Sequence, residues 1–216
     1  MSSLAQERAL GDWLAAGLRY IGQIAIECRD DGRFTLRHRD DAARSDLALH
    51  GRAEEAGELA RFDDAGNYRP LKTAPNLRHG WRLTLENLAG LRTALDLFYP
   101  GRLPAFFAFK KHELVTTPFR ETLGRQTGMY RIAAQIDDPA ADDLIGNFCR
   151  SDGGCLRTIL WRRDAEGTIA STRLPAEKFD PIFDQTGGGR PVIPLLCQEA
   201  CNLLVAEARK VVQAGR

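Results

Sequence analysis

No run of this chain approaches the roughly 18 uninterrupted apolar residues that a membrane-spanning helix needs, so a membrane role is not expected. The first residues, Met1-Ser2-Ser3-Leu4-Ala5-Gln6-Glu7-Arg8, lack a basic segment leading into an apolar core, and they read as cytoplasmic, not secretory. An excess of one charge is also missing. Thirty Lys and Arg face 29 Asp and Glu, for a net charge of +1, so no general pull toward nucleic acid is expected. Clusters such as Arg37-His38-Arg39-Asp40-Asp41 mix both signs and read as solvated surface. Histidine is scarce: His38, His50, His79 and His112 are scattered, and none has a sequence neighbour at metal-ligand spacing. Gly187-Gly188-Gly189-Arg190 lacks the Gly-Lys-Ser/Thr ending of a phosphate loop and reads as a flexible bend. There is no nucleophile-elbow sequence, and Asp40-Asp41 and Asp142-Asp143 read as helix starts or surface, not as acid–base machinery.

What is present is cysteine in a distinctive arrangement. Four of the five cysteines form two tight pairs, Cys149-Arg150-Ser151-Asp152-Gly153-Gly154-Cys155 and Cys197-Gln198-Glu199-Ala200-Cys201. In a reduced compartment such pairs argue for metal ligation over disulfides. Four thiolates suit a tetrahedral zinc ion or an iron–sulfur cluster. Zinc knuckles usually have two to four residues between ligands, so the wider first pair favours a [4Fe–4S] cluster; zinc and four unrelated thiols remain the alternatives. Gly153 and Gly154 let the loop curl, with N–H groups free to turn toward sulfur. Arg150 and Arg157 flank that loop and offset the charge of a four-thiolate site. Cys28 has no cysteine neighbour and reads as a buried structural thiol.

The periodicity predicts an α+β protein with small antiparallel sheet elements, several helices, and a long C-terminal helix carrying two cluster ligands. Leu4 to Leu18 has helical spacing. Tyr20 to Cys28 reads as one strand, turning at Asp30-Asp31-Gly32 into a second from Phe34. Ala53 to Phe62 is a short helix and 63–78 an irregular stretch. Trp81 to Leu85 alternates as a strand, and Asn87 caps a helix to Phe98. Pro104 opens another helix, and Asp137 or Asp138 with Pro139 starts the helix that delivers Cys149. Leu156 to Trp161 reads as a strand. A final helix from about Leu195 to Gln213 places Cys197 and Cys201 at i and i+4 on one face. A composition shift after Gly101 divides the chain into an α+β region, 1–105, and a four-cysteine region, 106–216, within two domains or one.

The C-x5-C … C-x3-C spacing, with Arg125-Gln126-Thr127, resembles the cluster motif of sirohaem-dependent sulfite and nitrite reductases. That family's Gly-Cys-Pro context is absent here, Leu196-Cys197-Gln198 standing instead, and the chain is short for its paired repeats. A broader resemblance rests on Tyr68-Arg69-Pro70-Leu71-Lys72-Thr73-Ala74-Pro75-Asn76-Leu77, Gly80-Trp81, Leu97-Phe98-Tyr99-Pro100, Arg120-Glu121-Thr122-Leu123-Gly124-Arg125-Gln126-Thr127-Gly128-Met129-Tyr130 and Cys155-Leu156-Arg157-Thr158-Ile159-Leu160-Trp161. From about residue 20 onward the chain is similar to the [4Fe–4S] domain appended to sirohydrochlorin cobaltochelatases of the CbiX type. The resemblance implies a cluster on Cys149, Cys155, Cys197 and Cys201 and a link to sirohydrochlorin and cobalamin metabolism. It does not extend to the chelatase fold or its metal-inserting histidines, so no chelatase activity is expected of this chain.

With every iron held by a protein thiolate, electron transfer, redox sensing or structural support is expected over Lewis-acid catalysis; the alternatives are a sirohaem-reductase-like enzyme fragment and a structural four-cysteine interaction module. The expected partners are a chelatase or redox protein and a tetrapyrrole. Glu121 and Arg125 form an i, i+4 pair, which alone signifies only a salt-bridged helix. Next to a cluster, however, Arg120 and Arg125 offer guanidinium forks suited to the carboxylates of sirohydrochlorin, and Arg157 joins them as a candidate ligand-binding residue.

Overall fold

The structure, a computed structural model, describes residues 3–15, 19–74, 76–149, 155–156, 158–161 and 192–215. It has the expected α+β character. The chain divides into two compact units: Met1–Glu113 with Pro181–Leu195, and Leu114–Asp180 with Leu196–Arg216.

The first unit is built on a six-stranded sheet. Helix α1 (Ser3–Leu14) precedes β1 (Arg19–Ile21) and β2 (Ile24–Cys28). The stretch from Tyr20 to Cys28 is therefore two strands and not one, because Gly22 turns with φ +54°. A side chain there would also collide with Tyr99, whose hydroxyl oxygen stands 2.5 Å from the position of a Cβ. That oxygen accepts the Gln23 N–H at 2.9 Å. The turn at Gly32 leads, as expected, to β3 (Phe34–His38). Strand β4 (Ala48–His50), helix α2 (Glu55–Leu59) and strand β5 (Trp81–Leu85) follow. Strand β7 (Val192–Ile193), from late in the chain, completes the order β4-β5-β3-β2-β1-β7. The expected sheet was antiparallel, but β4 with β5 and β1 with β7 are parallel. Long connections permit this, since parallel neighbours need a crossover.

Alternation along β5 sets the core. Trp81, Leu83 and Leu85 are buried while Arg82 is exposed. Helix α3 (Leu88–Phe98) buries Leu91, Ala94, Leu95 and Phe98, and the Phe98 ring stacks on Trp81 at 5.1 Å. Asn87 caps this helix by accepting the Gly90 N–H at 2.9 Å. Helix α4 (Arg102–Lys110) begins two residues before Pro104, after a left-handed turn at Gly101. The stretch before β5 is irregular, as expected. Its buried Arg69 holds it together by donating to the carbonyls of Ala60 (3.1 Å), Lys72 (2.9 Å) and Ala74.

The second unit contains α5 (Phe119–Gly124), α6 (Tyr130–Ala133) and α7 (Asp138–Asp143). A turn at Gly128, φ +74°, separates α5 from α6. Helix α7 runs on as a π-helical turn, Leu144–Cys149. Strands β6 (Thr158–Ile159) and β8 (Leu196–Cys197) pair in parallel, and α8 (Asn202–Ala214) ends the chain. The C-terminal helix is present, but it starts at Asn202. Cys197 lies on β8 and Cys201 is the residue before the helix, so the two are not an i, i+4 helical pair.

Candidate metal centre

Each cysteine of the quartet reaches its place by a different local device. Asp137 caps α7 by accepting the Ala140 N–H at 2.8 Å, and a proline sits in the first turn. The helix then widens into the π-helical turn that ends at buried Cys149. Such turns are frequent at functional sites, because the extra residue re-aims the backbone. Cys155 is half-buried and stands four positions before Ile159, which pairs with Cys197 in the β6–β8 ladder. The Leu160 N–H donates to the Cys197 carbonyl at 2.8 Å and ties the two segments together. Cys197 is buried, and its Sγ accepts the Glu199 N–H at 3.4 Å. Cys201, half-buried, holds the N-cap position of α8.

Cys149 and Cys197 belong to one apolar core with Phe119, Leu123, Trp161 and Leu204, and Cys201 packs against it. Three of the four predicted ligands therefore converge on one core, and the ladder brings the segment of the fourth alongside. The loop residues 150–154 and Arg157 lie outside the described residues.

The chemistry of this core suits an anionic sulfur site. The Glu199 N–H donates to Cys197 Sγ, the kind of N–H···S bond that neighbouring groups make to ligating sulfur. The start of a 13-residue helix presents the positive end of its dipole to Cys201. Trp161 is wholly buried, and its ring meets Phe119 edge-on at 4.8 Å. Its indole Nε1–H is buried without a hydrogen-bond partner among the described residues. An orphaned donor in an apolar core is costly. A cluster sulfur or ligating thiolate is the acceptor that this core lacks, so the donor set and the stranded N–H both fit an iron–sulfur cluster.

Of the arginines read as ligand-binding, Arg120, Arg125 and Arg157, the first two have partners within the protein and Arg157 lies outside the described residues. Arg120 donates from Nε to the Ile136 carbonyl at 2.5 Å and from Nη2 to Asp138, bracing α5 against the start of α7. Arg125 pairs with Glu121 across one helical turn. Cys28, expected to be buried, is exposed, because β2 ends there and turns into solvent. Asp41, read as surface, is buried and accepts the Gly80 N–H at 2.7 Å. His38 and His79, read as unrelated, lie with ring centroids 3.8 Å apart.

Residues 111–210 match the family model of a 4Fe-4S iron-sulfur cluster binding domain. The cofactor expected from the paired thiols, a [4Fe–4S] cluster, is the one this family binds. Residues 8–110 match a second model, the DR2241 stabilising domain. Among solved structures the chain is similar to DR2241 from Deinococcus radiodurans, with 31% sequence identity and a TM-score of 0.71. That protein is described as a multi-domain protein with structural similarity to chelatases and with two additional novel domains. The match covers 97% of this chain and 41% of DR2241, so the chain spans about two-fifths of that relative. A search of curated proteins finds no match. The two matched regions meet at 110/111, close to the structural division at Glu113/Leu114.

Proposed function

We propose that the chain is an accessory iron–sulfur module. It carries one [4Fe–4S] cluster on Cys149, Cys155, Cys197 and Cys201 and serves a chelatase-like partner that handles a tetrapyrrole. The observation that carries this reading is the shared apolar core of Cys149, Cys197 and Cys201, within a region that matches a cluster-binding family. The cluster supplies one-electron chemistry or structural cross-linking when bound. The Glu199 N–H donates to Cys197 Sγ, Cys201 sits at the start of α8, and Phe119, Trp161 and Leu204 exclude water. Four thiolate ligands leave no iron open for substrate, which favours electron transfer or stabilisation over catalysis by this chain alone. The chelatase-like relative supports the tetrapyrrole link. Arg120 and Arg125 are the proposed contacts for tetrapyrrole carboxylates, and they would exchange their present partners to serve.

Anaerobic purification with iron and sulfide analysis tests the cluster. A brown protein with about four irons and four sulfides per chain, lost on Cys149→Ser or Cys197→Ser, is expected. A colourless protein with stoichiometric zinc overturns it. Titration of sirohydrochlorin against the wild type and an Arg120→Ala/Arg125→Ala pair tests the docking. Weaker binding by the variant is expected, and equal affinity removes the arginines from the site.

A further inference from the structure

A second group of metal-binding side chains lies in the first unit, away from the cysteines in sequence and in chemistry. His38 closes β3, and its ring is completely buried. Its Nδ1 accepts the Asp40 N–H at 3.2 Å and stands 3.7 Å from Asp40 Oδ2. Its Nε2 is buried without a hydrogen-bond partner among the described residues. The half-buried His79 ring packs over it at 3.8 Å, tilted by 48°. One ligand atom from each of His38, Asp40 and His79 falls within 4.8 Å of the others. Around a zinc-like ion with bonds near 2.1 Å, ligand atoms sit roughly 3.4 Å apart, so closing on an ion takes a movement on the order of 1 Å. Asp40, whose side chain is 63% exposed, has the freedom to make it.

We propose that His38, His79 and Asp40 bind a divalent first-row transition-metal ion, with buried Asp41 as the residue that positions His79. Two imidazoles and one carboxylate suit ions of the zinc, iron, cobalt and nickel group. The Asp41 carboxylate takes the His79 Nδ1–H at 3.2 Å, which leaves the lone pair on Nε2, the arrangement common behind metal-bound histidine. Asp41 is itself held by the Gly80 N–H at 2.7 Å and by Arg44 at 3.5 Å, so it has little freedom to swing away. His38 Nδ1 and Asp40 Oδ2, 3.7 Å apart, already stand near the spacing of two ligand atoms on one ion, so Nδ1 is the ligating nitrogen of His38; it gives up the Asp40 amide, and Nε2 keeps the ring hydrogen. Arg39, 3.8 Å from Asp40 Oδ1, is the nearest competitor for that carboxylate.

The test is a titration of Co²⁺ into the full chain with its cluster assembled, followed by visible absorption and calorimetry. One equivalent should bind with weak d–d bands and without the intense sulfur-to-metal absorption of a thiolate site. His79→Ala should weaken binding by at least roughly tenfold, the lower range for losing a supporting group in a metal site, and Asp40→Asn should weaken it less. Circular dichroism establishes whether each variant is folded. Asp40→Asn, at an exposed side chain, keeps the question decidable if His79→Ala fails to fold. Binding that is absent, unchanged in the folded variants, or abolished by Cys28→Ser overturns the proposal. Cluster content is measured in the same samples, so failure at this site is distinguishable from failure at the cysteines.

Discussion

His38 carries no charge in the folded protein at neutral pH. Burial lowers its pKa from 6.5 to about 4, and neighbouring His79 adds to the shift. Asp40 and Asp41 oppose it, and Arg39 reinforces it weakly. The folded pKa lies below the unfolded one, so the unfolded chain takes up the proton first. The contribution of His38 to stability is therefore complete above about pH 6.5 and is lost as pH falls from there toward 4, by roughly 3 kcal/mol in all. Urea unfolding of the wild type and His38→Gln across this range should converge at low pH; parallel curves would refute it. Trp161 gives a second expectation. Trp161→Phe keeps the apolar ring and deletes the N–H, so the cluster should assemble with unchanged iron content and a more negative reduction potential. An unchanged potential in protein-film voltammetry would mean that the indole does not face the cluster. The two candidate sites differed in legibility for a physical reason. Each cysteine pair is close in sequence, whereas His38 and His79 are joined only by the sheet. The β3–β5 register pairs Arg37 with Arg82, which brings the residues just before β5 beside the end of β3.

Elements were readable where a side chain signals a boundary. Asn87 and Asp137 both cap the helices expected of them. The last helix was misread because its start carries no such signal: Cys201 sits at the N-cap without a capping hydrogen bond. Leu195 and Leu196 extend the apolar pattern backward, yet pairing with β6 holds Leu196 and Cys197 extended. Tyr20 to Cys28 failed similarly, since periodicity does not register a turn that depends on a hydroxyl far along the chain. Gly22→Ala should therefore be costly, combining a positive φ with a clash against Tyr99. A loss on the order of 2 kcal/mol or more in denaturant unfolding is expected. Loss of the Gln23–Tyr99 hydrogen bond in Tyr99→Phe should cost less, about 1 kcal/mol.

At the scale of the whole chain, two units with separate cores imply two local stabilities. Stripping the iron with a chelator should remove hydrogen-exchange protection from amides of α7, the π-helical turn and α8, while the β2–β3–β5 ladders keep theirs. Simultaneous loss in both would show that the cluster supports the entire fold. The α+β character was legible from periodicity. The return of Val192 and Ile193 to the sheet of the first unit was not, because nothing local in the sequence marks it.

That return has a consequence during synthesis. The outer edge of β1 is covered by Val192 and Ile193, which the ribosome adds last among the strands of that sheet. At ordinary rates of synthesis the nascent chain spends on the order of ten seconds with the β1 edge open. An open edge is a template for pairing with other chains, so the newborn protein has a window of aggregation risk that the finished one does not.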